Sequence, residues 1–124
     1  MDGLDFRVLF EAVPAHCVVF APDAPRFTCV AASNGYLAVS GTPRESLLGR
    51  GVFEVFPDEN PENTERSGVR NLRASLETVL RTRAPHRMAV QRYDVEAPGG
   101  SWAVRYWAPY NVPVLGPDGD VLYL

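Results

Sequence analysis

The sequence predicts an α+β domain, a single antiparallel sheet of five strands with its helices packed on one face. Three observations predict it. Two short apolar runs near the start are joined by a Pro/Asp turn, the pattern of a β-hairpin. Helical signals then fill the middle of the chain, the longest carrying one apolar stripe. The last third is rich in Val, Tyr and Trp and is punctuated by Gly/Pro turns, so it reads as a meander of three strands. Two hairpin strands and three meander strands, with helices between, make one sheet covered on one face.

Each element follows from its residues. Leu4 to Ala12 reads as a short helix, because Leu4, Val8, Leu9 and Ala12 share a face and Pro14 stops it. His16–Ala21 and Arg26–Ala31 are the hairpin strands, separated by Pro22-Asp23-Ala24-Pro25. Ser33 and Asn34 can cap a helical turn over Gly35–Val39 that Gly41 ends. Thr42-Pro43-Arg44-Glu45 has the pattern of a capping box, with a helix to Leu48 and Gly49 as its C-cap. Val52–Phe56 is a further single turn before Pro57, and Asp58–Asn63 is a polar loop.

Thr64 can cap the longest helix, over Glu65–Arg81. Its stripe is Val69, Leu72, Leu76, Val79 and Leu80, with Arg66, Arg70 and Arg73 mostly off it. Pro85 closes it. Arg87–Val95 is a strand, Ala97–Ser101 a turn and Trp102–Val114 a longer strand. Pro109 and Pro113 demand an edge or a bulge inside that strand. Val121–Leu124 begins a last strand that is short for a central one, so the sequence reads as a single domain over 1–124 that ends within its final strand.

Composition narrows the function. The 124 residues suit one domain with a real core. With 12 basic residues against 15 acidic, net charge −3, the chain lacks the basic footprint of a nucleic-acid binder. Every basic residue is arginine, so no phosphate-binding loop lysine, Schiff-base lysine or kinase strand lysine can be supplied. Isoleucine is absent too, and the Arg, Ala, Val, Gly and Pro excess matches the codon usage of a GC-rich bacterium. Cys17 and Cys29 sit in apolar runs with no CxxC and no ligand cluster with His16 or His86, which reads as packing and not as zinc. No apolar stretch approaches the roughly 20 residues of a membrane span, and the acidic N-terminus is not a signal peptide. The expected compartment is the cytoplasm. No serine has a nucleophile-elbow context, and His16 and His86 lead strands, where histidines mostly face solvent or make hydrogen bonds. No catalytic residue is assigned.

Several stretches, in this order, carry a family likeness. Phe10-Glu11-Ala12-Val13-Pro14 leads into the first strand, and Ala32-Ser33-Asn34-Gly35-Tyr36 opens the first short helix. Leu48-Gly49-Arg50 is followed by Val52-Phe53-Glu54-Val55-Phe56-Pro57, and Pro113-Val114 by Gly116-Pro117-Asp118-Gly119. Together they resemble a PAS domain over nearly the whole chain. The run from Arg105 to Val114 looks like a bacterial subgroup found at the front of sensor histidine kinases.

The resemblance implies a sensory module of a two-component system, not an enzyme in its own right. Such a domain holds a small ligand, or only a partner, and passes a conformational bias to a C-terminal output domain. The expected output is a histidine kinase, with a cyclase, a phosphatase or a transcription factor as alternatives. A homodimer is implied, formed through the first helix or through outward strand aromatics (Tyr93, Tyr106 and Tyr110). A ligand-free dimerisation or scaffolding module is the alternative function. No nucleic acid and no membrane insertion are expected.

The resemblance also bears on cofactors. Haem-binding relatives use an axial histidine on or near the long helix. Glu65–Arg83 has none, and His86 lies just beyond. Flavin photoreceptors of the family carry an Asn-Cys-Arg-Phe-Leu-Gln motif. The matching stretch here is Asn63-Thr64-Glu65-Arg66-Ser67, without cysteine, and neither cysteine sits where a coumaryl chromophore needs one. The expectation is no cofactor, with an unknown small molecule left open.

A pocket in such a fold would be walled by Phe53 and Phe56 from the short helix and by Leu72 and Leu76 from the long one. Strand alternation adds Met88, Val90 and Arg92, and the next strand adds Trp107 and Asn111. Arg92 and Asn111 would orient a ligand among apolar walls. Alternatively, Trp107 fills the core and Asn111 satisfies a strand carbonyl.

Overall fold

The computed structural model describes residues 3–64, 67–97 and 99–124. Helix α1 (Phe6–Glu11) starts where the Asp5 carboxylate accepts the Arg7 and Val8 N–H groups. None of its residues is buried. Strands β1 (Val18–Phe20) and β2 (Cys29–Ala32) form the expected hairpin. The Ser33 hydroxyl then ties three segments together. It caps α2 (Asn34–Ser40) at Tyr36 N–H, accepts from Cys17 N–H at 3.0 Å and donates to the Ala15 carbonyl. Gly35 follows because a Cβ there would collide with the Pro14 carbonyl. Gly41 ends α2 in the left-handed conformation, as expected.

The Thr42 capping box does not form. Arg44–Ser46 is a single 3-10 turn without a side-chain cap, and the Thr42 hydroxyl turns back to the Ser40 carbonyl at 3.4 Å. Helix α3 (Val52–Val55) is the expected single turn, held by Glu54 accepting the Gly51 N–H at 2.9 Å. Helix α4 (Gly68–Thr82) carries the long stripe and ends at Arg83, whose φ is 56°. The predicted start at Glu65, and Arg66 with it, lies outside the described residues. Gly68 lets α4 approach the strands closely: a Cβ there would sit 2.9 Å from the Arg92 carbonyl and from the Tyr93 ring.

Among the described residues the strands form five two-stranded antiparallel ladders in place of one continuous sheet. Beyond β1–β2, they are β3 (His86–Arg87) with β8 (Tyr110–Asn111), β4 (Gln91–Arg92) with β7 (Tyr106–Trp107), β5 (Val95–Glu96) with β6 (Trp102–Ala103), and β9 (Val114–Leu115) with β10 (Val121–Tyr123). The interruptions have physical causes. Pro109 and Pro113 have no N–H to donate. Between Arg87↔Tyr110 and Gln91↔Trp107 the first strand carries one residue more than its partner, a bulge at 88–90. A second irregularity falls within β10. Reciprocal bonds between Phe20 and Leu124, at 2.8 and 2.9 Å, link β1 to the end of β10.

Residues from α2, α3 and α4 pack with the inner side of these ladders. Phe27, Cys29, Leu47, Val52, Leu76 and Val79 are almost wholly buried there. No helix among the described residues is long and apolar enough to cross a membrane.

Candidate functional site

The bulge at 88–90 decides which side chains reach the inner face. Strict alternation would put Met88, Val90 and Arg92 together. The extra residue shifts the phase, so Met88 is buried, Val90 is 65% exposed, and Tyr93 and Val95 turn inward. Val90 is therefore corrected to the outer side, and Tyr93 from outer to inner. Tyr106 and Tyr110 are exposed as expected.

An aromatic cluster lines the inner face. Tyr36 meets the Phe56 ring edge-on at 6.3 Å and the Trp107 ring at 6.2 Å. The Trp107 indole N–H donates to the Tyr93 carbonyl at 2.9 Å, and the Tyr93 hydroxyl donates to the Phe56 carbonyl. Burial pushes both tyrosine hydroxyls well above their ordinary pKa, so both stay neutral. Phe53 packs edge-on against Phe27 at 6.4 Å, and the Arg73 guanidinium lies over the Phe53 ring, 4.6 Å from its centroid.

Beside this cluster lies a buried polar knot. Asp94 is fully buried and accepts from Arg92 at 2.9 Å, from Asn60 at 2.8 Å and from the Arg105 backbone N–H at 3.2 Å. Burial alone would raise the Asp94 carboxyl, but these bonds outweigh it and hold the group below the ordinary carboxylate range. Asp58 accepts from Asn63 at 2.7 Å and from the Asp94 backbone N–H at 3.1 Å. The loop between α3 and α4 is thereby anchored to the segment between β4 and β5.

A third group joins α4 to the β3–β8 ladder. Ser75, buried on α4, lies 2.6 Å from His86 Nδ1 and accepts from Asn111 at 2.8 Å. The second Asn111 amide contact is the Met88 sulfur at 3.6 Å. A surface cleft of ≈ 320 Å³ opens beside these residues.

The nine residues singled out from sequence thus divide. Phe53, Phe56, Leu72, Leu76 and Trp107 come together in one packed core. Met88 and Asn111 meet at the α4 junction, where Asn111 bonds a side chain and not the strand carbonyl suggested as its alternative role. Arg92 is taken up by Asp94, and Val90 faces solvent. The sequence reading missed Tyr36, Ser75, Asn60, Asn63 and Asp94. Two asparagines in a short loop are a signal that such a loop is held by side-chain bonds.

Among the described residues no three or more His, Cys, Asp or Glu side chains are placed to hold a metal ion. Cys29 is buried, and burial pushes its thiol up to about 12. Thr64, exposed, follows Asn63 at the point where the flavin motif has its cysteine.

The outer side of the same strands is apolar and open. Val104, Tyr106, Tyr110, Val112, Val114 and Tyr123 are all exposed, with Arg87 stacked 4.1 Å over Tyr110. Phe6, Val8 and Leu9 of α1 are exposed as well. Glu11 of α1 is held by Arg44 at 3.3 Å.

A strand-helix-strand order with this inner face defines a small α+β module. The chain belongs to the PAS-fold family: the family model described as PAS fold matches residues 10–124. No curated protein matches the sequence. Among solved structures it is similar to a Rhodobacter sphaeroides LOV protein, with 17% identity and a TM-score of 0.66 over 94% of this chain and 59% of that one. An RNA-binding Light-Oxygen-Voltage receptor gives 15% identity and a TM-score of 0.62 over 95% of this chain and 30% of that one. The light-state dimer of the fungal blue-light photoreceptor Vivid gives 17% and 0.61 over 90% and 74%. At these identities the likeness is one of fold. The chain spans 59% and 30% of the first two chains it resembles.

Proposed function

We propose that this PAS-fold domain is a sensory module of a bacterial signal-transduction protein. In this reading it works as a homodimer and passes a conformational bias to a C-terminal output domain, a histidine kinase. The observation that carries the reading is the contrast between the two sides of the strands at 86–115. The inner side is filled by Tyr93, Val95 and Trp107, whereas the outer side leaves Val90, Val104, Tyr106, Tyr110, Val112 and Val114 in solvent. An exposed apolar patch of this extent commonly marks an interface.

The domain is not a catalyst in this reading, and covalent flavin is not part of it. The position after Asn63 offers a threonine hydroxyl, and the Cys29 thiol is held protonated within β2. A small molecule bound among Phe53, Phe56 and Trp107 is a second reading, favoured by the Arg73 guanidinium beside Phe53, whose Nε is buried without a hydrogen-bond partner.

The test is output activity in the full parent protein. Tyr110→Glu combined with Val112→Glu should alter autophosphorylation while circular dichroism of the domain stays unchanged. Unaltered output with the charges in place would refute the interface as the route of signalling.

A further inference from the structure

We propose that His86, Ser75 and Asn111 form a proton-operated latch between α4 and the β3–β8 ladder. The three residues come from three elements and meet at the hydroxyl of Ser75, a residue only 2% exposed. His86 itself is exposed, so protons reach it from solvent.

The donors and acceptors define the resting state. Asn111 can only donate through Nδ2, so Ser75 Oγ accepts from it. The single Ser75 proton then needs an acceptor, since a buried hydroxyl left unpaired is costly. The acceptor within reach is His86 Nδ1, at 2.6 Å. In the proposed resting state the Ser75 hydroxyl donates to Nδ1, and neutral His86 carries its proton on Nε2.

Histidine side chains change charge between about pH 5 and 8. When His86 gains a proton, Nδ1 becomes a donor and can no longer receive the Ser75 proton. Two donors, His86 and Asn111, then converge on Ser75 Oγ, and its own proton is left unpaired in this rotamer. The Asn71 carbonyl, one turn back along α4, can receive it once the Ser75 side chain changes rotamer, which releases Asn111. Thr78 and Thr82 already make this backward bond on the same helix, both at 2.8 Å. Such bonds bend helices slightly. Protonation at one exposed ring thus changes the rotamer of a buried hydroxyl, the geometry of α4 and the hold on Asn111 in the long strand.

The surroundings allow this. The α4 residues lining the cleft beside His86 are Asn71, Ala74, Ser75 and Thr78, none of them ionisable. From β8 the neighbour is Asn111, which is neutral. The charged group lining the cleft is Arg87, whose guanidinium is stacked over Tyr110.

Nuclear magnetic resonance on the labelled domain, titrated from acid to neutral pH, tests the latch. The sequence has two histidines, so His16 serves as an internal control. The Asn111 side-chain amide and the Ser75 and Asn71 backbone amides should shift with the same midpoint as the His86 ring. Ser75→Ala should abolish the Asn111 response while His86 still titrates. His86→Gln, at an exposed position, should abolish all of it and carries the test if the Ser75 variant folds poorly. Flat Ser75 and Asn111 signals across the His86 titration would overturn the proposal. So would a response that survives in His86→Gln or follows the His16 midpoint.

Discussion

Replacing Asp94 with alanine removes the acceptor on which the buried knot converges. Arg92, Asn60 and the Arg105 N–H all direct a donor to that carboxylate, which is wholly excluded from solvent. Breaking a buried ion pair costs about 3–5 kcal/mol. The Arg92 side chain keeps 17% of its surface in water, which places the expected loss at the lower end, about 3 kcal/mol. That is a large share of the roughly 5–15 kcal/mol that holds a domain folded. At about 4 °C per kcal/mol for a chain of this size, the melting temperature should fall by about 12 °C. Asp94→Asn keeps the shape and one acceptor, so it should lose less, about 1.5–3 kcal/mol. Urea and thermal unfolding followed by circular dichroism measure both.

The same carboxylate fixes the sign of an acid effect. Its folded-state pKa lies below the unfolded value, so its stabilisation is complete above the unfolded value of about 3.9 and is lost as pH falls through the folded one. Wild-type stability should decline in that acid range, and Asp94→Asn should decline less steeply. A loss under about 1 kcal/mol for Asp94→Ala would refute the assignment of Asp94 as the anchor of the α3–α4 loop.

Three further outcomes follow from named contacts. Gly35→Ala should cost about 1–3 kcal/mol or more in urea unfolding, because the added Cβ meets the Pro14 and Ala15 carbonyls, which are backbone. Trp107→Phe should keep the fold by circular dichroism and lose about 1 kcal/mol, the worth of the indole bond to the Tyr93 carbonyl. In a thiol-labelling time course Cys29 should react only on unfolding, being buried with its thiol pushed up to about 12, whereas partly exposed Cys17 should react first.

The helices were the most legible part of the sequence. Ser33, Gly41 and the stripe from Val69 to Leu80 act locally, through caps and a 3.6-residue period, so nearest neighbours suffice to read them. The Thr42 capping box misled for the same reason. Its pattern is local, but Pro43 is followed by only three residues of helical turn, and the Thr42 hydroxyl donates to the Ser40 carbonyl.

Strand facing was legible only up to the bulge. Trp107 packs against the core and Asn111 bonds Ser75 on α4, since only Pro109 interrupts the alternation between them. Val90 and Tyr93 were read wrongly, since an extra residue at 88–90 leaves no mark in the 86–96 segment alone. It appears only when that segment is set against 102–111. The polar knot was hidden for a similar reason. Asp58 and Asp94 look like ordinary solvated carboxylates, and their burial depends on bonds between residues more than thirty positions apart in sequence.

The central claim is that the open apolar side of the strands is a self-association surface. Analytical ultracentrifugation of the domain tests it most directly. The account predicts a concentration-dependent species of twice the 13.7 kDa chain mass, which reverts to 13.7 kDa when Tyr110 and Val112 are both replaced by glutamate. A wild-type chain that stays at 13.7 kDa at every concentration, or a dimer indifferent to both charges, would contradict it.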